Sequence, residues 1–198
     1  MIIVDVETTG IDWQKHSLLS IGAVDFNNPE RTFYEECRMW DGAHIMDGSL
    51  EVNGFSEAEA RDVRKKTDGQ VVAEFLEWAY ASSEFTVAGQ NPSLDLWFIK
   101  TTAGRNHMNA NLHYRTVDLH SLVFAHMLSN GVALPIKEGK SDIHSDYIMR
   151  YVGIPEEPKP HNGLNGAKWE AEAFSRLMYS KPFFKEFEKF PIPWKVGK

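Results

Sequence analysis

The chain opens on an apolar, β-branched run, Ile2-Ile3-Val4-Asp5-Val6, of the length and type of a buried strand. Thr8-Thr9-Gly10 closes it. A second strand is predicted over Leu18 to Phe26, a turn at Asn27-Asn28-Pro29, and a third strand from about Arg31 to Met39. Three neighbouring strands with short connections predict an antiparallel meander. Helical spacing then takes over. Ser49 to Asn53 makes a short helix before Gly54, and Ser56-Glu57-Ala58-Glu59 has the form of a capped helix start. Gln70 to Ala81 carries a stripe of Val71, Val72, Phe75, Leu76 and Ala79. Phe85 to Gly89 returns to strand, and helices are predicted over Leu94–Arg105, Val117–Leu128 and Ile143–Val152. Pro155 to Pro160 forms a proline-rich connector, and the glycines and asparagines from His161 to Gly166 lead into a last helix ending near Met178. Strands first, then helices alternating with a further strand, imply a mixed α/β sheet with helices on its faces. Residues 1–180 are expected to form one domain. The tail 181–198, with Pro182, Pro191, Pro193 and several aromatics, is expected to pack along it.

Composition narrows the classes. A chain of 198 residues suits a single domain with a real core. Cys37 is its only cysteine, which excludes an intrachain disulfide and a multi-cysteine zinc site. No apolar run approaches the ~20 residues of a membrane span. Met1 to Asp5 runs straight into a strand pattern without a basic leader, so the expectation is a cytoplasmic protein with no membrane partner. The net charge of −7 argues against a broad basic face gripping nucleic acid. It leaves room for an enzyme that takes one strand end into a metal-filled cleft, where bound cations invert the local field.

The candidate chemistry begins with Asp5 and Glu7. Residues two apart on a strand share a face, so both carboxylates project together. Burying two anions side by side is expensive unless a cation joins them. Alone, the pair reads better as a strand end left in water, where acids cost nothing. A third carboxylate, Asp95, follows the turn Gly89-Gln90-Asn91-Pro92-Ser93, and Pro160-His161-Asn162-Gly163-Leu164 places a histidine before the last helix. With Asp5-Val6-Glu7-Thr8-Thr9-Gly10, the Gly-x-Asn turn and the histidine in this order, the chain resembles the DEDDh (DnaQ-like) 3′–5′ exonucleases from Asp5 to Glu172. Arg115-Thr116-Val117-Asp118-Leu119 is similar to a segment common in that family. The resemblance implies an RNase H-like fold, an antiparallel three-strand meander extended by parallel strands and flanked by helices. It implies two divalent cations, Mg²⁺ or Mn²⁺, held by Asp5, Glu7 and Asp95, with His161 as general base toward the attacking water. It places Thr8, Thr9, Ile11 and Asn91 at the substrate, a single-stranded nucleic acid 3′ end, and leaves DNA, RNA and any protein partner open.

The third motif departs from the family. Five residues beyond His161, where an aspartate is expected, stands Gly166. Either the site has lost a metal ligand, leaving a pseudo-nuclease that binds nucleic acid or protein, or another carboxylate serves. Glu170 is the candidate, one helical turn on and on the same face, and Glu172 should point away. Asp118 and Asp142 read as caps or surface. Trp97 and Phe98 read as core. A haloacid dehalogenase-like phosphatase is disfavoured, because Glu7 stands where that class has a second aspartate.

Overall fold

A computed structural model describes residues 1–195. The meander forms as the pattern predicts: β1 (Ile2–Thr8) pairs antiparallel with β2 (Leu18–Asp25), and β2 with β3 (Asn28–Arg38). Two short helices follow, α1 (Ser49–Asn53) and α2 (Glu57–Ala60), the second closed by a capping box between Ser56 and Glu59. Then come β4 (Lys66–Thr67), α3 (Asp68–Tyr80), β5 (Val87–Gly89), α4 (Pro92–Arg105), β6 (Val117–Asp118) and α5 (Leu119–Ser129). A hairpin of β7 (Ile136–Lys137) and β8 (Lys140–Ser141) precedes α6 (Ser145–Val152) and α7 (Gly163–Tyr179). The main sheet has six strands in the order β4-β3-β2-β1-β5-β6, with β5 and β6 added parallel to β1.

Every residue of β2 is buried, because both faces of the sheet are covered. Ile2, Val4, Ile21 and Ala23 pack with α3 and α4 on one face, while Ile3, Val24 and Ala88 pack with α5, α6 and α7 on the other. That alternation fixes the chemistry: Asp5 and Glu7 share the parity of Ile3 and turn toward α7. The helix comes close at its start. A Cβ on Gly22 would lie 1.9 Å from the carbonyl carbon of Gly163, so only glycine lets the first turn of α7 rest on β2.

The differences from the predicted elements have local causes. β3 starts at Asn28, and Pro29 is tolerated there because β4 pairs only with Cys37 and Arg38, leaving that part of β3 an edge. The helix predicted from Val117 starts at Leu119, because Val117 and Asp118 pair with β5 and the Asp118 carboxylate caps α5 by accepting the His120 and Ser121 N–H groups. α6 starts at Ser145, with His144 as its cap. The two-residue strands β4, β7 and β8 are too short to show alternation. Trp97 is not core: it is 46% exposed and stacks on Trp13 at 6.0 Å, while its neighbour Phe98 is fully buried. In the tail, Phe183, Phe184, Phe187, Phe190 and Trp194 pack against the face covered by α7. Residues 196–198 of that tail lie outside the described residues.

Candidate active site

Four carboxylates reach one cleft of about 150 Å³ from separate elements, Asp5 and Glu7 from β1, Glu170 from α7 and Glu157 from the connector, together with His161 and Gln90. Asp95 stands behind them in the first turn of α4, where its Oδ1 accepts the Val6 N–H at 3.0 Å and ties that helix to β1. The turn into α4 is set by Asn91, which adopts a left-handed backbone (φ 54°) and donates its N–H to Asp118 Oδ1 at 3.1 Å. No side-chain cap comes from Asn91, so its part is to shape the second motif. Glu170 accepts the Gln90 N–H at 3.1 Å through Oε1, while its Oε2 and the Oε1 of Gln90 are buried with no partner.

The electrostatics follow from burial without counter-charge. Among the described residues, Asp5, Glu7, Asp95 and Glu170 form no ion pair. Burial, and then the charges of Glu170, Glu7, Asp95 and Glu157, hold the Asp5 carboxyl well above the usual carboxylate range. Glu170 is likewise held well up, by burial and then by Asp95. Burial followed by Glu157 and Asp95 pushes Glu7 up to about 7. Burial pushes Asp95 to about 7 against the lowering effect of the Val6 N–H. Among the described residues, no three His, Cys, Asp or Glu groups already form a ligand shell for a metal. The donor set nonetheless fits a hard divalent cation: it is oxygen-rich, negative, and keeps a buried Glu170 oxygen unpartnered.

Gly166 is held by the same geometry. A Cβ there would lie 1.9 Å from Asp5 Oδ2, so the Asp5 carboxylate occupies the space into which a side chain at 166 would grow. His161 sits on the loop before α7, its backbone N–H donated to Val52 at 3.2 Å and its ring about one third exposed. Asn162 caps α7, its Oδ1 accepting the Leu164 N–H at 3.1 Å and the Asn165 N–H at 3.3 Å.

Beyond Glu7 a second, shallower cleft is lined by Thr8, Ile11, Met46, Val52 and Asn53, with Ile11 66% exposed at its edge. Thr8 donates its hydroxyl to the Gly10 carbonyl at 2.7 Å and receives the Asn53 amide on its own carbonyl at 2.8 Å. Thr9, expected at the substrate, is fully buried; its hydroxyl donates to His44 and accepts from Ser17, and its backbone is bonded to Ser17, Met46 and Ser49, so it holds the loop. Glu172 does point away from the cleft, but as a fully buried partner of Arg176 at 2.6 Å. The residue that motif reading misses is Glu157. It lies in the proline-rich connector, and its sole sequence signal is its place four residues before His161.

A family model described as Exonuclease (RNase_T) matches residues 2–174. E. coli Exonuclease I in complex with a dT13 oligonucleotide superposes at a TM-score of 0.70 and 16% identity, over 88% of this chain and 40% of that one. A product-bound exonuclease I structure gives 0.71 and 16%, over 91% and 43%. The nuclease domain of 3′hExo, a DEDDh family member bound to rAMP, gives 0.68 and 15%, over 93% and 94%. The chain therefore spans about two fifths of Exonuclease I and nearly the whole of the 3′hExo nuclease domain. The sheet order and its flanking helices are those of the RNase H-like exonuclease fold.

Proposed function

From the premise that this protein belongs to the exonuclease family whose model covers residues 2–174, we propose that it hydrolyses single-stranded DNA or RNA from the 3′ end, releasing nucleoside 5′-monophosphates. The observation that carries this is the gathering of Asp5, Glu7, Asp95 and Glu170 beside His161, with no Lys or Arg paired to them among the described residues. Asp5, Glu7, Asp95 and Glu170 would hold two divalent cations, Mg²⁺ or Mn²⁺, which supply Lewis acidity at the scissile phosphate. His161, partly exposed at the mouth of the cleft, takes the proton of the attacking water, a task suited to an imidazole near neutral pH. The apolar edge formed by Ile11 and Val52 receives the terminal base, and Thr8 with Asn53 keeps that edge in place against Glu7. Asn91 keeps Asp95 in register with β1. The 3′ oxygen of the penultimate nucleotide leaves, and the terminal nucleotide departs with the phosphate. The exonuclease family, the net charge of −7 and the small cleft all support action on a strand end.

A second reading rests on Gly166. With no carboxylate at that position, the fold would persist as a binding module without hydrolysis. The two are separated by degradation of 5′-labelled single-stranded DNA and RNA with Mg²⁺ or Mn²⁺. A ladder shortening from the 3′ end is expected, reduced by at least ~10³-fold in Asp5→Ala and also diminished in Glu170→Gln. Intact substrate on incubation with folded, metal-binding protein would make the binding module the better account.

A further inference from the structure

Glu157 is a loop carboxylate that the fold has gone out of its way to bury. Its neighbour Glu156 lies in solvent, paired with Arg150. Glu157 turns inward, its side chain 8% exposed, into the cleft shared by Asp5, Glu7 and Glu170. A glutamate in a loop costs nothing in water, whereas here it joins other anions, and among the described residues the basic group paired with it is the His161 imidazole, with Nδ1 3.9 Å from Glu157 Oε2. The arrangement is built. The Trp169 indole N–H donates to the Pro155 carbonyl at 2.9 Å and fastens the connector to α7, while the His161 N–H fastens its other end to Val52. Glu157 Oε1 accepts the Asn162 N–H at 3.3 Å, and Oε2 takes no hydrogen bond from the other described residues. A second, independent sign of a missing ligand is the Glu170 Oε2, 95% of whose residue is buried and which has no partner in the same cleft. Position 166, a glycine, supplies no carboxylate from α7, and the Asp5 carboxylate fills the space a side chain there would take.

Resting on the exonuclease reading for the identity of the site, we propose that Glu157 holds a divalent cation in this cleft, delivering from the loop before His161 the carboxylate that relatives carry on the helix after it. The lost aspartate and the buried loop glutamate are then one substitution in two places. Glu157 serves the site together with Glu170, and the cleft regains the oxygen count that Gly166 removes.

The test is Mn²⁺ binding to the full chain by calorimetry, comparing wild type with Glu157→Gln, Glu157→Asp and Glu156→Gln. Melting in EDTA and cleavage of labelled single strands are measured on the same preparations. Expected is a loss of Mn²⁺ affinity of about tenfold or more in Glu157→Gln, partial recovery in Glu157→Asp and no change in Glu156→Gln. Melting of Glu157→Gln in EDTA should be no lower than wild type, since it removes one anion from a crowd. Unchanged Mn²⁺ affinity in Glu157→Gln overturns the proposal, and so does a wild type that binds no Mn²⁺. Lost cleavage with unchanged Mn²⁺ affinity also overturns it, and would make Glu157 a positioning residue for His161. Should Glu157→Gln not fold, Glu157→Ala, which also removes the carboxylate, decides by the same affinity criterion. Glu157-dependent Mn²⁺ binding without cleavage in the wild type leaves this inference standing and removes the exonuclease reading.

Discussion

Gly166 faces the Asp5 carboxylate, and its lack of a side chain is a condition of the Asp5 conformation. A Cβ at 1.9 Å from Asp5 Oδ2 and 2.8 Å from its Cγ leaves the carboxylate no room. Replacing a helical glycine with alanine ordinarily gains up to ~1 kcal/mol of helix propensity, whereas overpacking of this kind costs ~1–3 kcal/mol. Packing wins, and its effect falls on the one carboxylate central to the cleft. Gly166→Ala is expected to lower cleavage by about tenfold or more, and Gly166→Asp, which restores the family residue, to fall below wild type as well. Rates of 3′ shortening at saturating Mn²⁺ measure both, and a Gly166→Asp variant faster than wild type would show that Asp5 moves aside without cost. At this scale the sequence was informative wherever a residue type carried a motif. Asp5, Glu7 and His161 could be picked out through their resemblance to the family's motifs, as could the vacancy at 166, and spacing alone would not have sufficed. Thr9 could not, because its neighbours His44 and Ser17 arrive from loops and Ser49 from the start of α1, and only their bonds show that its hydroxyl and carbonyl are taken.

Helix α7 works on two faces. Gly163, Gly166 and Glu170 turn to the sheet and the cleft; Glu172 and Arg176 turn to the tail. Both of these last two are fully buried. Glu172 accepts the Phe183 and Phe184 N–H groups at 2.7 and 3.0 Å, while Arg176 donates to the carbonyls of Val152, Phe187 and Phe190 at 3.0, 2.8 and 3.1 Å. Removing one partner strands the other charge in the core, so Glu172→Gln is expected to cost ~3–5 kcal/mol in urea unfolding. The same variant is expected to leave Mn²⁺ affinity unchanged under conditions where it remains folded. A cost under ~1 kcal/mol would mean that the tail does not depend on this pair. Elements of strong period were legible in advance, above all β1, β2 and α3, because one face of each meets the core. The connector from Pro155 to Pro160 has no period, and so Glu157 could not be oriented from the sequence. Where it points is decided by contacts from Trp169, Asn162 and Val52, two of them on or beside a helix whose placement is itself tertiary.

Across the whole molecule, the stability of the metal-free protein is tied to the protons held in the cleft. Glu7 rises from an ordinary 4.5 to about 7 and Asp95 from 3.8 to about 7, and Asp5 and Glu170 are also held well above the usual carboxylate range. Below about pH 4 the folded and unfolded chains hold these protons alike. From about pH 4 to 7 the folded chain retains protons that the unfolded chain has released, so stability falls as pH rises across that window. Above it, Glu7 and Asp95 are ionised in both states and their effect levels off at its most unfavourable. A divalent cation competes for the same oxygens and binds the deprotonated cleft, so it should stabilise more at pH 8 than at pH 6. At a free concentration ~100 times its Kd, a cation adds ~2.7 kcal/mol, which for a domain of this size is a rise in Tm of ~5–10 °C. Thermal melts in EDTA and in excess Mn²⁺ across pH 4.5 to 8.5 read both effects. The EDTA curve is expected to decline toward pH 7 and the Mn²⁺ curve to diverge from it as pH rises. Parallel curves would mean that the buried carboxylates are not where the cation binds. The residues that make the cleft unstable when it is empty are, on this account, those that make it selective for a small, hard cation, and Asp5→Asn should therefore raise Tm in EDTA while abolishing much of the gain from Mn²⁺.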